Sequence, residues 1–155
     1  MNTPGNDALL TESEDAKRYL TFSIGDVSYA FRIENVTEII GMQSITAVPD
    51  VPDFIKGVIN LRGKVIPLMD VRLRLRLPEI EYHDRTCIIV VEVGEKSVGV
   101  IVDAVSDVLA IDDSNIEAPP DFRNGADADY ISGMAKGEDG IEVILDAERL
   151  LTSDR

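Results

Sequence analysis

Along this chain apolar and polar residues alternate in short runs, and few stretches keep the spacing of a helix. Tyr19–Ile24, Val27–Ile33, Gly57–Leu61, Val65–Met69, Thr86–Val93 and Lys96–Val102 read as strands. Tight turns at Gly25-Asp26, Arg62-Gly63 and Gly94-Glu95 join them into hairpins. Ile33, Val36, Ile39 and Ile40 have helical spacing, which predicts a short amphipathic helix there. A third strand is expected near Ile45–Val48, ending at Pro49, with another break at Pro52. Short helices are expected to begin near Asp70 and Asp146, where a carboxylate can cap the first turn.

These elements occur twice. Shifting the chain by 69 residues lays residues 20–40 over 89–109 without a gap, with Gly25 on Gly94, Glu34 on Asp103, Val36 on Val105 and Glu38 on Asp107. A shift of 70 sets Val48-Pro49 over Ala118-Pro119. A shift of 76 lays residues 55–75 over 131–151, with Gly57 on Gly133 and Asp70 on Asp146. The offset changes between Pro120 and Tyr130, so the second copy carries an extra loop. Each copy predicts five short strands with Gly and Pro at the corners. The fold class is therefore mainly β: two tandem five-stranded barrels with short helical segments. The expected divisions are an acidic disordered tail at 1–16, a first barrel at 17–77 and a second at 78–155. A single copy is marginal in size, so the two are expected to share an interface.

Composition narrows the function. Aromatic residues make up 5% of the chain and there is no Trp, so the interior is aliphatic. The net charge of −14 argues against nucleic acid, whose phosphates demand concentrated Lys and Arg. Residues 1–16 carry −4, residues 17–77 carry +3 and residues 78–155 carry −13, a polarity suited to oriented association with partners. Residues 1–16 lack the apolar core of a signal peptide, and no apolar run is long enough for a membrane span. One Cys permits no internal disulfide, and a cytoplasmic setting is expected.

Residues that could carry chemistry are few and scattered. His83 is the only His, lies in a polar segment and has no Cys cluster with zinc spacing, so it reads as a solvated linker residue. Cys87 opens the most apolar strand and reads as a buried structural thiol. Asp112-Asp113 and Asp127-Ala128-Asp129 lack the Gly and Glu of a calcium loop. No phosphate-binding glycine loop is present. Neither a catalytic residue nor a cofactor nor a metal site is expected; the chain reads as a binding module and not an enzyme.

Where the copies diverge, binding specificity is expected. The first copy has Asn60-Leu61-Arg62-Gly63-Lys64 where the second has Lys136-Gly137-Glu138-Asp139-Gly140. Gly63 can supply the positive φ of a tight turn, pushing Arg62 outward. Glu38 is its candidate ion-pair partner. Arg72, Arg74 and Arg76 read as a solvated face.

The run FIKGVINLRGKVIPLMDVRLRL, together with VGVIVDAVSDVL, closely resembles the CheW-type coupling proteins of bacterial chemotaxis, over roughly residues 17–151. The resemblance implies two SH3-like barrels and an adaptor role between the cytoplasmic tips of methyl-accepting chemoreceptors and a CheA-type histidine kinase. It implies a cytoplasmic monomer recruited into receptor arrays at the inner membrane, without insertion into it. It also implies a receptor groove walled by Ile33, Val36, Asn60, Leu61, Arg62, Val105 and Val108, with Glu38 positioning Arg62. For Val36, Val105 and Val108, plain core packing is the competing reading. Phe122, in the extra loop, is the candidate kinase contact. Two rival readings are a small-molecule-binding barrel and, more remotely, a hydrolase built on scattered acids.

Overall fold

The computed structural model describes residues 16–119, 130–137 and 140–152. Eleven strands and two short α-helices follow one another along these residues. They are β1 (Ala16–Ile24), β2 (Val27–Arg32), β3 (Val36–Gly41), β4 (Ile55–Leu61), β5 (Lys64–Asp70), α1 (Val71–Arg74), β6 (Cys87–Val93), β7 (Lys96–Val102), β8 (Ala104–Asp112), β9 (Ile116–Glu117), β10 (Ile131–Gly137), β11 (Gly140–Leu145) and α2 (Ala147–Thr152). Single 3₁₀ turns sit at Ile33–Asn35 and Asp113–Asn115.

The expected hairpins are present with two-residue loops. Ile24 pairs with Val27, Leu61 with Lys64, and Val93 with Lys96. Gly25 and Gly94 take φ of +60° and +61° at the first loop position. In the third hairpin both loop residues are left-handed, Arg62 at +53° and Gly63 at +86°, the pattern of a type I′ turn. The helix caps are also as expected. The Asp70 and Asp146 carboxylates accept hydrogen bonds from the N–H groups of Leu73 (3.4 Å) and Arg149 (3.1 Å).

The strands form two sheets, in the orders β9-β10-β11-β2-β1-β8 and β3-β6-β7-β5-β4. This corrects the boundaries read from the repeat. Residues 36–102 build the whole five-stranded sheet, whereas the six-stranded sheet takes β1 and β2 from one end of the chain and β8–β11 from the other. Neither 17–77 nor 78–155 closes a sheet by itself. Each closing hairpin instead joins the second strand of the other copy in parallel, β5 with β7 and β11 with β2. Parallel neighbours carry no local turn signal, so the exchange is invisible to hairpin reasoning. The chain crosses between sheets at Ile33–Asn35 and again at Asp103. We call the two assemblies the middle unit and the end-built unit. The charge polarity survives this division: residues 36–102 carry −1, and residues 16–35 with 103–152 carry −9.

Two further expectations change. The stretch with helical spacing is a single 3₁₀ turn followed by strand β3, because its backbone pairs with β6 from Val36↔Val91 to Gly41↔Cys87. The expected third strand near Ile45–Val48 is reduced to one bridge, Thr46↔Val58. Its counterpart in the other sheet is β9, only two residues long.

The packing explains the aliphatic composition. A shared core between the sheets takes Leu20, Phe22, Phe31, Met69, Ile89, Val91, Val100, Leu145 and Leu150. A second cluster (Ile59, Ile66, Leu68, Ile88, Val90, Ile101) fills the middle unit, and a third (Tyr19, Ala30, Ile111, Ala135, Ile144) fills the end-built unit. Successive residues of β6 thus serve different cores, Ile88 and Val90 one way, Ile89 and Val91 the other. This is why Cys87–Val91 reads as an unbroken apolar run.

The arginines after β5 do not form a solvated face. Arg76 is exposed, but Arg74 is buried at 1% exposure, and Arg72 holds Asp103. Their burial follows from α1 packing into the junction between the units.

Candidate functional site

Four of the sequence-derived site residues meet at one edge of the middle unit. The Arg62 guanidinium donates to the Glu38 carboxylate. Glu38 lies on β3 and Arg62 at the tip of the β4–β5 hairpin, and β3 and β4 are the two opposite edges of the five-stranded sheet. The ion pair therefore bridges the two edges. Asn60 Oδ1 accepts from the Gly63 N–H (2.8 Å), which fixes the turn. Leu61 is half-buried against the Ile59–Ile66–Leu68 cluster. A left-handed Arg costs roughly 1 kcal/mol of backbone strain, which the surrounding contacts must overcome.

Glu38 owes its placement to a bulge. The β3–β6 register slips between Val36↔Val91 and Glu38↔Val90, and the Thr37 hydroxyl donates to the Val90 carbonyl (3.1 Å). The same irregularity occurs in β8, between the pairs Phe22↔Val105 and Leu20↔Val108. There the Thr21 hydroxyl donates to the Asp107 carbonyl (3.1 Å) and accepts from its N–H (3.0 Å). Bulges turn side chains and twist edge strands, and here they mark repeat-equivalent positions on the outermost strand of each sheet.

The remaining wall residues divide. Ile33, Val36 and Val105 are half-buried and pack on the shared core, so packing and surface exposure coexist in them. Val108 is 45% exposed and belongs to no core cluster. Ile39, its repeat equivalent on β3, is equally exposed at 45%. Ile39 is not among the expected groove residues, and its alignment with Val108 under the 69-residue shift is the sequence signal that points to it. Phe122 lies outside the described residues, as do Asp127 and Asp129.

The residues considered for chemistry have structural explanations. Burial pushes the Cys87 thiol above its ordinary pKa, only partly offset by a backbone hydrogen bond from Val105. His83 is exposed, and its Nδ1 accepts from the Arg85 N–H (3.2 Å) in a local turn. Among the described residues no group of His, Cys, Asp and Glu is arranged to hold a metal ion. No helix among them is long and apolar enough to cross a membrane.

Comparison with known proteins places this arrangement. A family profile described as a CheW-like domain matches residues 18–155. The chain is 35% identical to the chemotaxis protein CheW of Klebsiella aerogenes over 138 residues, covering 89% of this chain and 83% of that one. It is 35% identical to the CheW of Bacillus subtilis over 146 residues, 94% of each chain. Protein FrzA of Myxococcus xanthus is 29% identical over 150 residues, 96% of this chain and 93% of that one. Among solved structures, the scaffolding protein TtCheW from Thermoanaerobacter tengcongensis superposes with a TM-score of 0.82 at 35% identity, covering 90% of this chain and 94% of that one.

Proposed function

The chain belongs to the CheW-like domain family and is a CheW-type chemotaxis scaffold, and we propose on that footing that it couples chemoreceptor tips to a CheA-type histidine kinase without chemistry of its own. The observation that carries the reading is the Arg62–Glu38 pair. It holds a strained cation at a hairpin tip in an exposed position, with half-exposed Ile39 on the same strand as Glu38. Such a pair adds little stability, since exposed ion pairs contribute roughly 0–1 kcal/mol. Its use is to present one guanidinium in a fixed direction beside aliphatic side chains, which suits an apolar ridge on a receptor helix flanked by an acceptor.

In this reading the groove draws Val36, Glu38, Asn60, Leu61 and Arg62 from the middle unit. It draws Val105 and Val108 from the end-built unit, and Ile33 lies at the crossing. Kinase contacts lie away from the groove, at the ends of the units; Phe122, outside the described residues, is the candidate from the sequence. Weak individual contacts gain strength once tethered in an array, and recruitment to the membrane follows from the receptors.

The test is Arg62→Glu, assayed by pull-down on receptor tips and on the kinase separately. Loss of receptor binding with kinase binding retained is expected. Loss of kinase binding with receptor binding intact would sink the assignment.

A further inference from the structure

The boundary between the two units is mostly apolar, and apolar contact adheres without fixing direction. Among the described residues, α1, four residues long, makes three side-chain hydrogen bonds across it. Arg72 grips Asp103 with two hydrogen bonds, Nε to Oδ1 at 3.0 Å and Nη2 to Oδ2 at 2.7 Å. Asp103 is the point where the chain crosses into the end-built unit. Its Oδ2 also accepts from the N–H of Gly25 (2.7 Å), at the β1–β2 turn of that unit. The pair is largely shielded, at 15% and 16% side-chain exposure.

Arg74 makes the second attachment. Its Nε donates to the Leu150 carbonyl (2.9 Å) in α2 of the end-built unit. Its guanidinium carbon lies 4.8 Å from the ring centre of Phe54 and 5.0 Å from that of Tyr130, one ring from each unit. The repeat shows how specific this is. Phe54 aligns with Tyr130, and Arg74 aligns with Leu150 itself, so at this position only the first copy carries the cation. The other crossing is held differently, by Asn35 Nδ2 donating to the Glu92 carbonyl (3.4 Å) at the surface. There Glu34, the equivalent of Asp103, pairs with Arg32 at the surface.

We infer that α1 is a clasp: Arg72 and Arg74 are positioning residues that fix the orientation of the middle unit on the end-built unit. The inference rests on the receptor-groove reading only for its consequence, namely that the clasp keeps the groove walls from the two units in register. In some proteins buried polar contacts specify one arrangement among several apolar ones, and the clasp would act in this way.

Pulsed electron–electron resonance on the full chain tests it. Nitroxides are placed at Val27→Cys and Lys96→Cys, exposed repeat-equivalent positions on different units, in a Cys87→Ala background. The parent should show one narrow distance distribution. Arg72→Met and Arg74→Met should broaden it while each sheet keeps its amide protection. Unlabelled variants should lose about tenfold in receptor-tip affinity if the competent pose falls to roughly a tenth of the population, with kinase affinity held. Phe54→Leu, which removes one ring and leaves the guanidinium its Leu150 bond, is the milder variant should Arg74→Met not fold, and it too should broaden the distribution. Distributions as narrow as the parent's in the folded variants would overturn the clasp. Broadening with receptor affinity unchanged would uphold the clasp and contradict the two-unit groove.

Discussion

Arg62 and Glu38 stand 24 positions apart in the chain and on opposite edges of one sheet, yet their side chains are hydrogen-bonded. The contact holds the tip of a hairpin against a bulged edge strand, and it keeps Arg62 in a left-handed conformation that glycine adopts more readily. In the receptor-groove reading, binding and stability therefore pull in opposite directions here. Arg62→Gly is expected to raise stability by about 0.5–1 kcal/mol, since it relieves the strain and loses only an exposed ion pair. It should abolish the directed cation and weaken receptor binding. Urea unfolding midpoints, set beside receptor pull-down, check both halves; a destabilised variant would mean the ion pair outweighs the strain.

Gly57 is expected to be intolerant of any side chain. Its φ is +146°, and a Cβ there would stand 2.2 Å from the Thr46 carbonyl oxygen, a backbone atom held by the bridge to Val58. Gly57→Ala should cost more than about 2 kcal/mol, combining a clash with strained backbone. Chemical denaturation measures this directly, and a cost below 0.5 kcal/mol, on the order of an ordinary surface change, would show that the Thr46 segment yields easily.

The stability contribution of Asp103 should depend on pH in a defined sense. Burial alone would raise its carboxyl pKa, but hydrogen bonds from Arg72 and Gly25, aided by the Arg72 charge, together hold it below the ordinary value of 3.8. A folded-state pKa below the unfolded one stabilises fully above pH 3.8 and is lost as pH falls through the folded value. Asp103→Asn should therefore be clearly less stable than the parent at pH 7, and the gap should narrow towards pH 3. A gap independent of pH would mean the carboxylate charge is not what matters.

The strand exchange makes fragments informative. Residues 17–77 contain β2 and β5 but neither of their parallel partners, β11 and β7. This fragment should be unfolded by circular dichroism and amide exchange. A cooperatively folded fragment would show that each repeat copy can close a barrel alone.

How much was legible can be seen at particular residues. The hairpins at Gly25 and Gly94 were readable because a two-residue turn is a local event with a local residue requirement. The capping carboxylates Asp70 and Asp146 were readable for the same reason. Strand β3 was not, because the bulge at Thr37 disturbs the period of two and leaves apolar residues at helix-like intervals. Arg74 was not, because its burial depends on Phe54, Tyr130 and α2, all distant in the chain. The Arg62–Glu38 pair was found from the divergence of two copies. Exposed Ile39 was missed, though its alignment with Val108 was in plain view. The two units were foreseen, but which strands belong to each depends on parallel pairing across the whole sequence.

In the proposed function one groove, with walls from both units, receives the receptor. An amide-resolved NMR titration of the intact chain with a soluble receptor tip tests it most directly. Shifts are expected to concentrate at Val36–Ile39, Asn60–Gly63 and Val105–Val108, and to be lost in Arg62→Glu. Shifts confined to one unit, or clustered on a face remote from Arg62, would contradict it.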